Sequence, residues 1–224
     1  MSIRRNSGGL KRRPASREPY KRIHMVFEGR ITEPEYIDSF IRSRKEKVAV
    51  PGIIVRGAGE PKSIITKCVE IRDDLLRDSK LVSIGRTDDI WAIFDVDEHE
   101  HLIDAIHLAK ENNFFCAISN PCIEVWGFMH KQKLDRPLSR HEAQKGLKDI
   151  LPRYHHKKNP RFDWQWCSDK IHNAVRNAVA GRAAREAENS KFPHDIPSTN
   201  FDRLLSEFDP EIRVISGEKT WSEW

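Results

Sequence analysis

The sequence predicts an α/β fold: a mostly parallel sheet with helices on both faces, followed by a helical C-terminal extension. Three observations carry that expectation. Short apolar runs alternate with segments of helical periodicity as far as about residue 135, the first run turns through Glu28-Gly29 straight into a helix, and beyond Lys131 the strand-like runs stop. At 224 residues the chain is long enough for one principal core.

Residues 1–20 are rich in Ser, Gly, Pro and Arg and poor in apolar residues, the composition of a disordered basic arm. "RIHMVFE" reads as a buried strand ending at Glu28. "TEPEYIDSFIRSRKE" reads as a helix, with a start signal at Thr32, Pro34 in the first turn, and Tyr36, Ile37, Phe40 and Ile41 at helical spacing. "GIIVRG" is a second strand and "PKSIITKCVEIRDDLLRD" a second helix. "DIWAIFDVD", "HLIDAIHLAKENN", "FFCAISN" and "CIEVWGFMHK" continue the alternation as strand, helix, strand and short helix. This core spans residues 21–135. Residues 136–224 form the helical extension: "SRHEAQKGLKDIL", a basic loop, one long helix over "DWQWCSDKIHNAVRNAVAGRAAREAEN", and a capped helix in "PSTNFDRLLSEF".

Composition narrows the function classes. Four cysteines without a C-x-x-C pair signal neither a zinc site nor a disulfide framework, so buried reduced thiols are expected. No apolar run approaches the ~20 residues of a membrane span, and the N-terminal stretch has charge without an apolar run, so a cytoplasmic protein is expected. The net charge of +5 conceals an asymmetry: eight Lys or Arg, including Arg12 and Arg13, stand against one acid within residues 1–22. A second basic stretch holds Arg153, His155, His156, Lys157, Lys158 and Arg161. Two basic regions flanking an acidic cluster suit a polyanionic substrate around a metal site, although each stretch alone also reads as a solvated tail or loop.

Sites in open parallel sheets form at the carboxyl ends of strands. Glu28 ends the first strand, Asp95 and Asp97 the third, and Ser119 and Asn120 the fourth, with Glu124 one helical turn further on. The alternation in D-x-D puts Asp95 and Asp97 on one side of an extended backbone. Carboxylates so close repel, so a divalent cation is the natural neutraliser, and all-oxygen ligation suits Mg2+ or Mn2+. Taken singly, the same residues also fit a turn and a helix cap. His99 and His101 read as surface residues near a helix start, and Glu33, Glu35, Asp73 and Asp74 as solvated helix residues.

"VFEGRITEPEYI", "IFDVDEH" and "SNPCIEVWGFMH", in that order, resemble the RloB family of bacterial proteins, within the wider Toprim superfamily. The likeness covers Ile23 to about Lys158 and returns in "PSTNFDRLL". It implies a Toprim-like sheet in which Glu28 is general base or ligand, Asp95 and Asp97 bind the metal, Glu124 is a further ligand or support, and Lys157 or Lys158 stabilises charge on a phosphate. It further implies a Mg2+-dependent nuclease in bacterial anti-phage defence, often beside an ATPase; the substrate expected is nucleic acid, with RNA such as transfer RNA slightly ahead of DNA. Arg12, Arg13, Arg153, Lys157, Lys158 and Arg161 are the candidate nucleic-acid contacts. Two other classes stay open: a non-catalytic effector docking an ATPase through its helical third, and a nucleotidyl transferase on the same fold. A homo-oligomer is compatible with each.

Overall fold

In β1 (Lys21–Phe27) and β3 (Asp89–Asp95) successive side chains project to opposite faces, and both faces are apolar. Strands covered by helices on both sides require that pattern. The computed structural model describes residues 20–46, 48–77, 88–96, 99, 101–191 and 194–217. The proposed arm with Arg12 and Arg13, the proposed ligand Asp97, and the "WSEW" stretch lie outside the described residues.

The remaining elements follow as α1 (Thr32–Ser43), β2 (Ala49–Val55), α2 (Pro61–Arg77), α3 (Leu102–Glu111), β4 (Phe115–Asn120) and α4 (Glu124–Met129). After them come α5 (Arg140–Leu147), α6 (Trp164–Ser168), α7 (Ile171–Ala187), β5 (Ser198–Thr199), α8 (Phe201–Ser206) and α9 (Pro210–Ser216). Among the described residues the sheet has the order β2-β1-β3-β4-β5, parallel except for β5 against β4. The mixed α/β class, the mostly parallel sheet and the extra C-terminal helices all agree with the sequence reading.

Strand alternation splits the core in two. Ile23, Met25, Phe27, Trp91 and Ile93 face a cluster shared with α1, α4 and the helices after residue 136. Val26, Ile90, Ala92, Phe94 and Ile118 face a second cluster packed by α2 and α3. Leu147, Leu151, Phe162, Phe201 and Leu204 all belong to the first cluster, so the C-terminal helices share the core of the sheet. Tyr36 sits at the middle of that face, with the rings of Trp126, His130, Phe162 and Trp164 edge-on to it at 5.5–6.2 Å. His130 is fully buried, and burial pulls its pKa down to about 4. Its Nδ1 faces the Trp126 carbonyl at 2.9 Å and must donate, which leaves Nε2 to accept from the Tyr36 hydroxyl at 2.9 Å. These contacts tie α1 to α4, the two helices that carry Glu33 and Glu124.

Local irregularities have local causes. Met25 pairs with Ile54 two residues after Ile23 pairs with Pro51, so β2 carries one extra residue. The buried His24 ring fills that bulge and accepts the Ile53 N–H at 3.0 Å; a Cβ on Gly52 would lie 2.8 Å from the ring. Asp209 accepts the N–H groups of Glu211 and Ile212 at the start of α9, and Ser139 with Glu142 forms a capping box at α5.

Three sequence expectations need correction. The single long helix from Asp163 is two, α6 and α7, because the chain turns at Asp169-Lys170; Lys170 Nζ donates to the Trp166 carbonyl at 2.9 Å and lies 4.4 Å above the Trp166 ring. The capped helix in "PSTNFDRLLSEF" is preceded by β5 and followed by α9, neither of which was expected. Asn200 does not cap α8 through its side chain. Instead its Oδ1 accepts the Ile118 N–H at 2.6 Å and its Nδ2 donates to the Cys116 carbonyl at 2.9 Å, pairing the free edge of β4 where β5 is too short to reach. Asn200→Ala leaves both buried backbone groups without that partner and is expected to destabilise the fold by about 2–4 kcal/mol, measurable as a lowered midpoint in urea. An unchanged midpoint would show that these bonds are dispensable.

Candidate functional site

The chain leaves β1 for β2 on one side and returns to β3 on the other, so the connections diverge between β1 and β3. In doubly wound sheets the crevice beyond the carboxyl ends at such a point is where ligands bind. Glu28 and Asp95 lie at this point, Glu28 directly after β1 and Asp95 as the last residue of β3. The Glu28 N–H continues the ladder by donating to the Ile93 carbonyl at 2.9 Å, and the Asp95 N–H donates to Glu28 Oε2 at 2.9 Å. Glu28 is thereby held by β3 through backbone and side chain, with Oε1 left for other partners. His99 Nε2 lies 3.7 Å from that oxygen.

Two helices complete an acidic cluster. Only Arg30 and Ile31 separate the Glu28-Gly29 turn from the first residue of α1, so the first turn of α1 overhangs the sheet edge. Glu33 projects from that turn and is 6% exposed, which corrects its reading as a solvated helix residue. The signal was present in the sequence: Glu33, Tyr36, Ile37 and Phe40 are spaced as one buried helical stripe. A Cβ on Gly29 would lie 2.6 Å from Glu33 Oε2, so glycine there lets the carboxylate sit against the turn. Glu124 opens α4 and is 4% exposed. Its Oε1 accepts a short hydrogen bond from the Tyr154 hydroxyl and lies 3.4 Å from His156 Nδ1. Tyr154 and His156 follow α5, so residues from the C-terminal third help to build the site.

These acids act on one another electrostatically. Burial holds the Asp95 carboxyl well above the usual carboxylate range, reinforced by Glu33, Glu28 and Glu124 and opposed by Arg140. Burial pushes Glu33 up to about 7; a backbone hydrogen bond opposes the shift, Glu28 and Glu124 add to it, and Arg140 counters it. Burial also raises the Cys122 thiol, with Glu124 and Asp95 adding to the effect, so Cys122 stays protonated and is no nucleophile. All four cysteines are buried free thiols.

The donor chemistry would suit a hard divalent cation: carboxylate oxygens, buried at Glu33, Asp95 and Glu124 and half-buried at Glu28, whose negative charges oppose one another. The carboxylates raise one another's pKa without being gathered on a single point. Among the described residues no three His, Cys, Asp or Glu side chains are arranged to hold one ion.

The other sequence candidates lie around this centre. Lys157 and Lys158 are exposed, and their N–H groups both donate to His155 Nδ1 at 3.3 Å. Arg153 is exposed at φ 63° in the same loop. Arg161 donates to both oxygens of Glu35 at 2.7 and 3.1 Å, so its charge already has a partner. Sequence reading missed Glu33, Tyr154 and Arg140 as neighbours of the acids. No described helix is long and apolar enough to cross a membrane.

Fold and site together define an α/β protein with an acidic centre at the switch point of its sheet. The family model described as RloB-like protein matches residues 23–208, and the chain belongs to that family. No curated protein and no solved structure matches it.

Proposed function

We propose that this protein is a divalent-cation-dependent nuclease of bacterial anti-phage defence that hydrolyses phosphodiester bonds in nucleic acid, RNA ahead of DNA. The observation that carries the reading is the meeting of Glu28, Glu33, Asp95 and Glu124 at the switch point, two of them pushed towards the protonated form by burial and by one another. The resemblance of the motifs around Glu28, Asp95 and Glu124 to the Toprim superfamily supports it, as does the cationic loop beside Glu124. Asp95, Glu28, Glu124 and Glu33 are the residues that would hold Mg2+ or Mn2+, and Asp97, next in alternation, is the further proposed ligand. The cation supplies Lewis-acid stabilisation of charge developing on phosphoryl oxygens. Glu28, anchored through Oε2, offers Oε1 as ligand or as proton acceptor for the attacking water. Tyr154 orients Glu124, while Lys157, Lys158 and Arg140 offset phosphate charge.

End-labelled RNA and DNA incubated with the purified protein in Mg2+, Mn2+ or EDTA test the reading. Cleavage of one polymer in metal and none in EDTA is the expected result; both polymers intact in every metal would contradict it. A second reading, a non-catalytic effector that docks an ATPase encoded nearby, is favoured by the carboxylates not being gathered on one point among the described residues. Co-purification with the ATPase and full defence by Asp97→Ala are its distinguishing results.

A further inference from the structure

Beside the acids lies a second concavity with opposite chemistry. A pocket of about 260 Å3 opens between α5 and the turn at residues 155–157. From the helix it receives His141, Gln144, Lys145 and Lys148, spaced i, i+3, i+4, i+7 and so aligned as one stripe. The turn contributes His155, His156 and Lys157. No carboxylate is among the residues that line it. Lys145, Lys148 and Lys157 are exposed, and none is engaged in an ion pair among the described residues. Lys145 also borders the neighbouring cavity, which Asp135, Glu142 and Asp149 line; within this concavity three ammonium groups repel each other, and an anion relieves that repulsion. His155 Nδ1 accepts the N–H groups of Lys157 and Lys158, so the neutral ring carries its proton on Nε2 and adds a donor. The lysines in its lining make the pocket a poor site for a cation.

The pocket is joined to the acidic centre by one residue. His156 lines the pocket and places Nδ1 3.4 Å from Glu124 Oε1. A strand with one phosphate at the acids therefore has a cationic pocket next along its path, on the Glu124 side. We propose that this pocket is a phosphate subsite for a nucleic-acid strand, holding a phosphate that flanks the one cut, with Lys145 and Lys148 as its principal charges. This assignment rests on the nuclease reading for the identity of the strand; the phosphate chemistry of the pocket stands on its own lining.

The double variant Lys145→Gln/Lys148→Gln tests it, since both side chains are exposed and circular dichroism can verify the fold. Strand affinity in EDTA, measured by fluorescence anisotropy across a salt series, is expected to fall about tenfold, with the log–log salt slope reduced by about 1–1.5. In cleavage, KM is expected to rise by a similar factor while kcat changes little, the mark of a positioning contact. Inorganic pyrophosphate, titrated into the wild type, is expected to shift the ring resonances of His141, His155 and His156, and to leave them unmoved in the double variant. Cleavage by the double variant at the wild-type KM and salt slope overturns the subsite and leaves the nuclease reading standing. Pyrophosphate shifts that the double variant abolishes, in a protein that cuts no strand, support the phosphate pocket and remove the nuclease reading instead.

Discussion

Asp95→Asn is expected to lower metal-dependent cleavage by about 10²–10³-fold or more and to leave the metal-free protein at least as stable as the wild type. The two expectations come from one cause. The Asp95 carboxyl is buried and faces Glu33, Glu28 and Glu124, so its negative charge is opposed by the surrounding protein. Asparagine keeps the shape, and the backbone N–H that anchors Glu28 Oε2 is unaffected. Removing the charge relieves repulsion in the absence of metal while deleting the proposed metal ligand. Thermal unfolding in EDTA at pH 7.5, run beside the cleavage assay, separates the outcomes: activity lost with an unchanged or raised Tm supports the account. Parallel loss of both would assign Asp95 a structural role. Glu28→Gln is expected to behave in the same direction, with a smaller rise in Tm because Glu28 retains more contact with solvent.

The second large effect is a pH dependence that a divalent cation reverses. Burial pushes the Glu33 carboxyl from its ordinary value of 4.5 up to about 7 in the folded chain. The native state therefore holds a proton that the unfolded state has released across the interval from 4.5 to about 7. Stability is full below that interval and falls as pH rises through it, by roughly 3 kcal/mol for Glu33 alone. Asp95 acts in the same direction. In EDTA the Tm is expected to drop between pH 5 and pH 7.5. Mn2+ bound by these acids would have to displace the protons, so its affinity is expected to rise with pH and its binding to release protons. Added Mn2+ is therefore expected to restore Tm at pH 7.5 and to do little at pH 5. A Tm in EDTA that is flat or rising over this range contradicts the buried, mutually opposed acids, and an equal Mn2+ effect at both pH values contradicts a cation bound by them.

Much of this site was legible before any coordinates. The strand–helix alternation placed Glu28, Asp95 and Glu124 at one sheet edge, because in parallel sheets strand ends share a side. Gly29 and Pro34 marked the turn and the first turn of α1 correctly. Glu33 was misread because a charged residue in a helix is solvated by default, and its register with Tyr36, Ile37 and Phe40 was not weighed. The parts contributed by distant sequence were not legible at all. Nothing in "PRYHHKK" says that Tyr154 returns to Glu124, or that His156 stands beside the same carboxylate, since those contacts depend on how α5 packs against α4. The role of Asn200 was hidden for a related reason: "STN" before a helix is the ordinary pattern of a cap, and only the unpaired edge of β4 makes it a strand partner. The break at Asp169-Lys170 interrupts a helical pattern without proline or glycine, so periodicity alone runs through it.

The most direct test of the central claim is anomalous diffraction from crystals soaked in Mn2+ at pH 7.5. A Mn2+ peak is expected at the carboxyl edge between β1 and β3, within about 2.0–2.3 Å of oxygens from Asp95 and at least one of Glu28, Glu33 and Glu124, and lost in Asp95→Asn. No peak at this edge, or one that persists in the variant, would contradict that claim.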